Sequence, residues 1–381
     1  MIRVRWFRNH HEHRNYWLRF GLMRKHRMRQ IHYSEYPLAA CVDAGFDSIV
    51  AAYEHRHTSV VLVEDGASAT RCIVDSEDSF FFLSPVLLQH ADLYFCAGYN
   101  RAFFRDRAFT PPYAWHEPHE VSFYVQRGCD LIRECGTQFM RVRPFVPIGP
   151  SLHIEVQLPL VMRKLRNAHD KIARRRPAQS WLFEYADFEA RYRQLLDLRT
   201  APSLHDIALL DTLWGWPRHR YALHMRLKAL AGDGRAVHAR LRWSEPTALD
   251  GSDRFPMTPA DFPVETGRID NYEKMLASSR LAVFATGFHW GWRNIMSLAL
   301  MWGLPIHADR LLLEPWFDMS QFNISWNDDL DWPGVAMVLA GMSDDRIARI
   351  KAHNRAAFDR LLAPEKVAEY FVAATMRSTC G

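Results

Sequence analysis

The chain has 381 residues, of which 48% are hydrophobic and 24% charged, a balance typical of globular proteins that excludes disordered and collagen-like classes. One hydrophobic core has usually stopped growing at this length, so two domains are expected. No stretch reaches the roughly 18 uncharged apolar residues of a membrane-spanning helix, and the charged first residues lack the apolar segment of a signal peptide. The six cysteines form no CxxC pair, which indicates buried thiols in a reducing compartment rather than a zinc site or disulfide scaffold.

The formal net charge of +5 is unevenly distributed. Residues 1–30 contain nine Lys and Arg against one acid, Glu12, and residues 163–176 (RKLRNAHDKIARRR) form a second basic stretch. Such clusters favour anionic partners, and a solvated basic face is the alternative. We expect a cytoplasmic protein, with peripheral binding to an anionic surface on the inner face of the cytoplasmic membrane as the further expectation.

The predicted elements of the first half alternate between strands and helices. Strands are predicted at residues 1–7, 59–66, 71–79 and 92–98. Helices are predicted at residues 16–26 and 82–91, and residues 121–136 mix strand and helix signals. Four prolines between Thr137 and Pro159 mark a domain edge.

The second half repeats this alternation. Strands are predicted at residues 180–188, 206–215 and 236–243, and helices at residues 189–199, 218–234, 270–279 and from 344 onward. Strands alternating with helices predict parallel sheets covered on both faces. The predicted fold class is therefore α/β, with two Rossmann-like, doubly wound domains at residues 1–160 and 178–381. They would meet near residues 155–178 and leave a cleft between them.

Residues 280–308 have the pattern of a βαβ crossover. The strand RLAVFAT at 280–286 precedes the turn GFHWG at 287–291, the helix WRNIMSLALMW at 292–302 and the strand LPIHA at 304–308. The unit has the length of about 30 residues that is typical of such crossovers. Ligands of open α/β sheets bind at the carboxyl ends of the strands, where this turn lies, and glycines let the backbone approach a ligand closely.

The entrance of the predicted helix is polar although the helix itself is apolar. Arg293, Asn294 and Ser297 are the polar side chains of its first two turns and share one face. We interpret that face as a docking point for a phosphate, which a helix N-terminus also favours. The alternative is an ordinary buried crossover helix whose arginine pairs with a carboxylate.

The segment from Tyr272 to Asp309 resembles the donor-binding segment of exostosin-like and related GT-B glycosyltransferases. The matching positions are Tyr272, Ser279, Gly287, Arg293, Leu298, Gly303, Pro305 and Asp309. Residues 75–99, which contain ADLYF, also look like a stretch of such enzymes. One departure is Met296, which stands where the family has the Glu that often holds the donor ribose. Either Ser297 or Glu314 takes that role, or the donor nucleotide differs.

The resemblance implies a GT-B fold whose last helix packs back on the first domain. It also implies a metal-independent glycosyltransferase that needs no cofactor and uses a nucleotide-sugar as co-substrate. The acceptor would be a glycan or lipid-linked molecule of bacterial lipopolysaccharide or capsule assembly. A Kdo-type transferase with a CMP-linked donor is the first alternative. A non-catalytic membrane- or nucleic-acid-binding α/β protein is the second, although a recognisable nucleic-acid motif is absent and no nucleic-acid partner is expected.

The candidate site residues follow from these patterns. The predicted donor-binding residues are Trp214, Arg218, Arg220, Gly287, His289, Gly291, Trp292, Arg293, Asn294, Ser297, Asp309 and Glu314. The segment WGWPRHR, which also contains His219, would lie near the donor phosphates, and a surface turn at Pro217 is its alternative reading.

Carboxylates that follow predicted strands are the candidate catalytic groups. Activation of an acceptor hydroxyl needs a base, or a nucleophile if configuration is retained, and the first candidates are Asp75, Glu77 and Asp78. Glu184 and Asp211 would also reach the cleft.

The loop RNHHEHRN contains three histidines without the spacing of a defined metal motif, and no DxD motif occurs in a suitable context. No metal site is therefore predicted. We assign the loop histidines to the acceptor site: His10, His11 and His13.

Overall fold

A computed structural model describes most of the chain. The described residues are 1–9, 15–53, 57–66, 68–77, 83–111, 113–145, 149–152, 181–213, 218–243, 260–262, 269–286 and 291–377. The predicted meeting point of two domains near residues 155–178 lies outside them, and the domain division stays a prediction.

The first half forms a mixed sheet with six strands among the described residues, in the order β2-β1-β3-β4-β5-β6. The strands are β1 (Arg3–Arg8), β2 (His32–Pro37), β3 (Thr58–Asp65), β4 (Ser68–Asp75), β5 (Leu93–Cys96) and β6 (Val142–Pro144). β3 is antiparallel to both neighbours, and the other pairs are parallel. Gly66, at φ 60°, and one further residue connect β3 to β4. So short a connection joins only antiparallel strands, which is why the expected parallel arrangement is wrong here.

The helices of the first half are α1 (Tyr16–Arg27), α2 (Ser48–Ala52), α3 (Pro85–Gln89), α4 (Arg101–Asp106) and α5 (Pro118–Cys135). The segment with mixed signals is α5. A capping box starts it, in which the Glu120 carboxylate accepts the Glu117 backbone N–H at 2.7 Å, and Pro118 occupies the first turn. Its buried residues recur at helical spacing: Glu120, Tyr124, Gly128, Leu131 and Cys135.

The second half contains parallel strands in two sheets that adjoin each other. The strands are β7 (Ile207–Leu213), β8 (Val237–Trp243), β9 (Ala282–Phe284), β10 (Ile306–Asp309) and β11 (Ile324–Asn327). β7 pairs with β8, and β10 pairs with β9 and β11. A parallel bridge between His205 and Ser279 joins the two sheets just before β7 and β9. The combined order is therefore β8-β7-β9-β10-β11, and the chain shows an α/β fold as predicted.

The helices of the second half are α6 (Leu182–Asp197), α7 (Arg218–Gly232), α8 (Tyr272–Ala277), α9 (Asn294–Trp302), α10 (Gly334–Ala340), α11 (Asp344–Leu361) and α12 (Pro364–Arg377). The strand predicted at residues 180–188 is wrong, because these residues enter α6, which buries Phe188, Tyr192 and Leu195 at helical spacing. The apolar helix of the crossover is α9, buried from its second residue onward. Gly303 ends it at φ 79°, as predicted.

One apolar core connects the two halves. It contains Val61 and Phe95 of the first sheet together with Leu209 and Leu300 of the second half. The opposite face of the first sheet has its own core, which includes Ile73 and is covered by the first-half helices.

The last helix lies against the first half. Phe371 of α12 packs on Phe95 of β5, with ring centroids 4.8 Å apart, and the Tyr370 hydroxyl donates to the Pro144 carbonyl at 2.7 Å. The Trp17 indole of α1 donates to the Leu362 carbonyl at 2.8 Å.

Four of the N-terminal basic residues are paired with carboxylates: Arg5, Arg8, Arg19 and Arg24. Arg8 and Arg19 bind Glu184 of α6 at 3.0 and 2.8 Å, and buried Arg19 also binds Glu35 at 2.6 Å. Burial alone would raise the pKa of Glu184, but the charges of Arg19 and Arg8 lower it to about 2. Glu184 therefore connects the halves instead of following a strand. The basic stretch 163–176 lies outside the described residues, and no described helix could cross a membrane.

The contact between α1 and α12 leaves no room at Gly21. A Cβ atom placed there would lie 1.9 Å from the Pro364 carbonyl oxygen. We expect Gly21→Ala to lower the free energy of unfolding by about 1–3 kcal/mol, measured by urea denaturation. Gly232→Ala is the matched control, because a Cβ at that end of α7 meets nothing within 4 Å. Equal effects of the two variants would contradict the close packing.

Candidate functional site

The strand order of the second half reverses direction between β7 and β9. The chain proceeds from β7 outward to β8 on one side, and from β9 outward to β10 and β11 on the other. Ligands of open α/β sheets bind at such a switch point, outside the carboxyl ends of the strands. The helices α7 and α9 follow β7 and β9 in the chain and begin at this edge.

A buried ion triad connects these two strand ends. The Arg293 guanidinium binds Asp211 through both nitrogens, at 2.9 and 2.6 Å, and Arg220 approaches the same carboxylate at 3.4 Å. Arg293 also donates to the Ala285 carbonyl at 3.0 Å, and Arg220 donates to the Thr286 carbonyl at 3.0 Å. Burial alone would raise the pKa of Asp211, but the two guanidinium charges lower it. The triad therefore holds β7 against the segment that follows β9.

This geometry matches the carboxylate alternative for Arg293. The residue is the N-cap of α9 rather than part of its first turn, and only 15% of its side chain is exposed. Asp211 is 2% exposed in its side chain, and a carboxylate so buried requires a paired charge. A direct contact of Arg293 with a ligand phosphate stays a prediction.

The other predicted residues of the α9 entrance differ in their exposure. Trp292 is buried, and its indole donates to the Ser297 hydroxyl at 2.8 Å. That bond directs Ser297 toward the helix's own start. Asn294 is exposed and Gly291 is buried. Three predicted donor-binding residues lie outside the described residues: Trp214, Gly287 and His289.

Asp309 ends β10 at the same edge. Its buried carboxylate accepts a hydrogen bond from the Asn327 amide at 3.0 Å and from the Thr286 backbone N–H at 3.2 Å. Burial raises the pKa of Asp309 to about 7, although both hydrogen bonds oppose the shift. The carboxyl group is therefore poised between its neutral and charged forms near neutral pH.

His219, in the first turn of α7, lies beside Asp309. Its Nε2 is 4.0 Å from the Asp309 Oδ2, and its ring stacks on Trp115 with centroids 5.4 Å apart. The histidine is 3% exposed. Burial and the charge of Arg220 lower the pKa of His219 to about 3, so the imidazole is neutral at physiological pH.

Trp115 belongs to a segment of the first half, residues 113–117, that reaches this edge. The Trp115 carbonyl accepts from Arg218 at 2.8 Å, and Arg218 also forms an ion pair with Glu117. The Tyr113 hydroxyl donates to the Arg310 carbonyl, directly after β10. Arg218, predicted to bind the donor, is therefore engaged by this segment.

The loops that follow β5 and β10 are in contact. Asn100 donates to the Leu312 carbonyl at 2.7 Å, and the Glu314 backbone N–H donates to the Tyr99 carbonyl at 2.7 Å. The exposed Glu314 carboxylate accepts the Arg101 backbone N–H at 3.3 Å. A role for Glu314 toward a ribose stays a prediction. Because both loops leave the carboxyl ends of their strands, those ends of the two sheets face each other.

Two of the predicted catalytic carboxylates, Asp75 and Glu77, lie at the carboxyl end of β4. Glu77 is 18% exposed in its side chain and lies 3.2 Å from the Nε2 of buried His57. Asp75 is 3% exposed and accepts hydrogen bonds from the Glu77 backbone N–H, at 2.9 Å, and from the Tyr94 hydroxyl. The structure therefore makes Asp75 a support for the turn that carries Glu77. Asp78 and the loop histidines His10, His11 and His13 lie outside the described residues.

Sequence reasoning missed four residues that build these sites. They are His57, Tyr113, Trp115 and Asn327, each far in the chain from the carboxylate or loop that it contacts. The sequence held a signal only for Tyr113 and Trp115, because they belong to the aromatic run YAWHE, which leads into the capping box of α5.

Comparisons with known proteins identify no family. No family model matches the sequence, and no curated protein matches it. Among solved structures, the chain is similar to the N-terminal domain of trehalose-6-phosphate phosphatase from Candida albicans, with 10% identity and a TM-score of 0.31. That match covers 63% of this chain and spans half the length of the other. A likeness this weak carries no functional conclusion.

Removal of Arg293 should leave the buried Asp211 carboxylate with Arg220, at 3.4 Å, as its one described cationic partner. We expect Arg293→Ala to lower the free energy of unfolding by about 3–5 kcal/mol in urea denaturation. The control is Arg310→Ala, which breaks a pair with Asp328 whose side chains are 53% and 55% exposed. That loss should stay below about 1 kcal/mol. Similar small losses in both variants would show that Asp211 does not depend on Arg293.

The raised pKa of Asp309 makes stability depend on pH. Its folded value of about 7 exceeds the usual value, so the folded state holds an extra proton and stability falls as pH rises through this window. Asp309→Asn removes the titration. We expect the Tm of the variant, relative to the wild type, to increase from pH 5 to pH 8, corresponding to about 2–3 kcal/mol.

Asp328→Asn is the control for this pH dependence. The hydrogen bond from Arg310 lowers the pKa of Asp328, so its titration lies below that window and should not alter the trend. A constant difference in Tm between Asp309→Asn and the wild type would contradict the shift.

Proposed function

We propose that this chain is a glycosyltransferase that moves a sugar from a nucleotide-sugar to a glycan or lipid-linked acceptor. One observation carries the proposal. The carboxyl ends of the strands in the two sheets face each other, and the switch point between β7 and β9 lies where they meet. Two substrates that meet in one reaction need two binding surfaces, and these edges provide one for each. The resemblance of residues 272–309 to donor-binding segments supports the assignment of the donor to the second half.

The donor nucleotide would bind at the switch point. The helices α7 and α9 start there, and their N-termini offer backbone N–H groups and partial positive charge to a diphosphate. The ion triad would act indirectly, because Arg220 and Arg293 fix the ends of β7 and β9 from which these helices start. Such fixed dipoles stabilise the charge that develops on a leaving phosphate without requiring a metal.

The acceptor would bind at the carboxyl end of the first sheet, with Glu77 as the general base. In a direct displacement, Glu77 takes the proton of the acceptor hydroxyl while that oxygen bonds to the anomeric carbon. The bond from this carbon to the nucleotide's phosphate oxygen breaks, and the nucleotide leaves with the electron pair. His57, at 3.2 Å, would be a positioning residue that holds the Glu77 carboxylate.

Calorimetric titration of the full chain with UDP, GDP and CMP, followed by the corresponding nucleotide-sugars, tests the donor assignment. CMP belongs in the panel because Met296 replaces the family's ribose-binding Glu. One nucleotide should bind, and its sugar conjugate should be hydrolysed slowly to free sugar in the absence of an acceptor. Failure of every nucleotide to bind would reject the proposal.

Substitution of Glu77 tests the base. Glu77→Gln should lower turnover of the bound nucleotide-sugar by about 10²–10⁴-fold and leave nucleotide affinity unchanged. Glu64→Gln is the matched control, because Glu64 pairs with Arg5 at the opposite edge of the same sheet. Turnover that stays at the wild-type level in Glu77→Gln would remove this residue from the mechanism.

A further inference from the structure

Buried polar atoms without hydrogen-bond partners converge at the switch point. They are both ring nitrogens of His219, the Thr286 hydroxyl and the Trp115 indole nitrogen. The residues are contiguous: the Trp115 ring stacks on His219, His219 lies 4.0 Å from the Asp309 carboxylate, and the same carboxylate oxygen accepts the Thr286 N–H. We call this group, with Asp309, the Trp115–His219 chamber.

Such a concentration of unpaired groups is unfavourable in an empty protein. A buried donor or acceptor left unpaired costs about 1–3 kcal/mol, and native structures pair most such groups. The four atoms come from three separate parts of the chain, namely the segment 113–117, the start of α7 and the segment directly after β9. Unpaired polar atoms on residues that come from independent elements and neighbour one another indicate a ligand that supplies the missing hydrogen bonds.

The charges around the chamber indicate the chemistry of that ligand. Four arginines described around the chamber are paired with carboxylates: Arg220 and Arg293 with Asp211, Arg218 with Glu117, and Arg310 with Asp328. The His219 imidazole is neutral, because burial lowers its pKa to about 3. These four guanidinium groups are therefore already engaged by carboxylates, and the charged form of Asp309 would repel an acidic group in the chamber.

We propose that the Trp115–His219 chamber binds an uncharged, hydroxyl-bearing sugar and discriminates against acidic sugars. Hydroxyl groups both donate and accept, so they satisfy an imidazole with one donor and one acceptor, a threonine hydroxyl and an indole N–H together. This inference rests on the proposed function for the identity of the sugar as the donor's. It selects a neutral nucleotide-sugar over a CMP-linked acidic one.

The experiment has two arms, so that the chamber and the glycosyltransferase proposal fail separately. In the first arm, saturation-transfer NMR measures binding of free glucose, galactose and mannose and of their uronic acids to the full chain. In the second arm, calorimetry compares the nucleotide that binds with its neutral and acidic conjugates, for example UDP, UDP-glucose and UDP-glucuronate. The neutral conjugate should bind at least about tenfold more tightly than the acidic one.

The variants are chosen to retain shape. His219→Phe keeps a flat buried ring without nitrogens, and Thr286→Val replaces the hydroxyl by a methyl group. We expect them to lower affinity for neutral sugars by about tenfold and fivefold, respectively, and to leave bare-nucleotide affinity unchanged. The Tm of both should stay the same or rise, because unpaired polar atoms are removed. His224→Phe, another buried histidine of α7, is the matched control.

The outcomes are distinct. Neutral-sugar binding that depends on His219, without any nucleotide binding, supports the chamber and rejects the glycosyltransferase. Nucleotide binding with no His219-dependent preference for a neutral sugar, or with tighter binding of the acidic conjugate, rejects the chamber and leaves the glycosyltransferase standing. Absence of neutral-sugar binding in both arms rejects the chamber. If both variants unfold, the two polar side chains stabilise the fold itself and are not held for a ligand, and the inference is overturned.

Discussion

The second half of the molecule depends on one buried carboxylate. Asp211 is almost fully removed from water, and two guanidinium groups, one from α7 and one from the N-cap of α9, compensate its charge. Each guanidinium also donates to a carbonyl of residues 285–286, after β9. The triad thus takes the place of the backbone hydrogen bonds that would join β7 to the segment after β9 if the two were paired there. A hydrophobic residue could fill this volume, but it could not satisfy those carbonyl groups.

The sequence predicted the fold class and most elements because their hydrophobic patterns are local. The crossover from β9 to β10 is the clearest example, since its apolar runs and Gly303 identify the elements without reference to the rest of the chain. The orientation of β3 and the helical state of residues 182–188 were not predicted correctly. Strand direction depends on which neighbour a strand reaches, and a short amphipathic run fits both periods until its packing partners are known.

The candidate site was predictable in location but not in contacts. The rule that ligands bind at the carboxyl ends of strands pointed to the turn after β9, and the resemblance pointed to the segment after β7. Arg293 was singled out from its position at a helix entrance. The identity of its partner required the fold, because Asp211 lies 82 positions earlier in the chain. The contacts of His57 and Trp115 could not be predicted for the same reason, because their neighbours come from other strands and loops.

The docking of α12 has a consequence for synthesis of the protein on the ribosome. Trp17 hydrogen-bonds to a carbonyl 345 positions later, and Cys72 of β4 meets Thr375 across 303 positions. The first sheet therefore leaves the exit tunnel long before the helix that covers part of its apolar face. Domains usually fold in order of emergence, but here the N-terminal half must wait with an exposed surface, a state in which chains aggregate readily. Efficient production of this protein should consequently depend on chaperones that shield nascent chains.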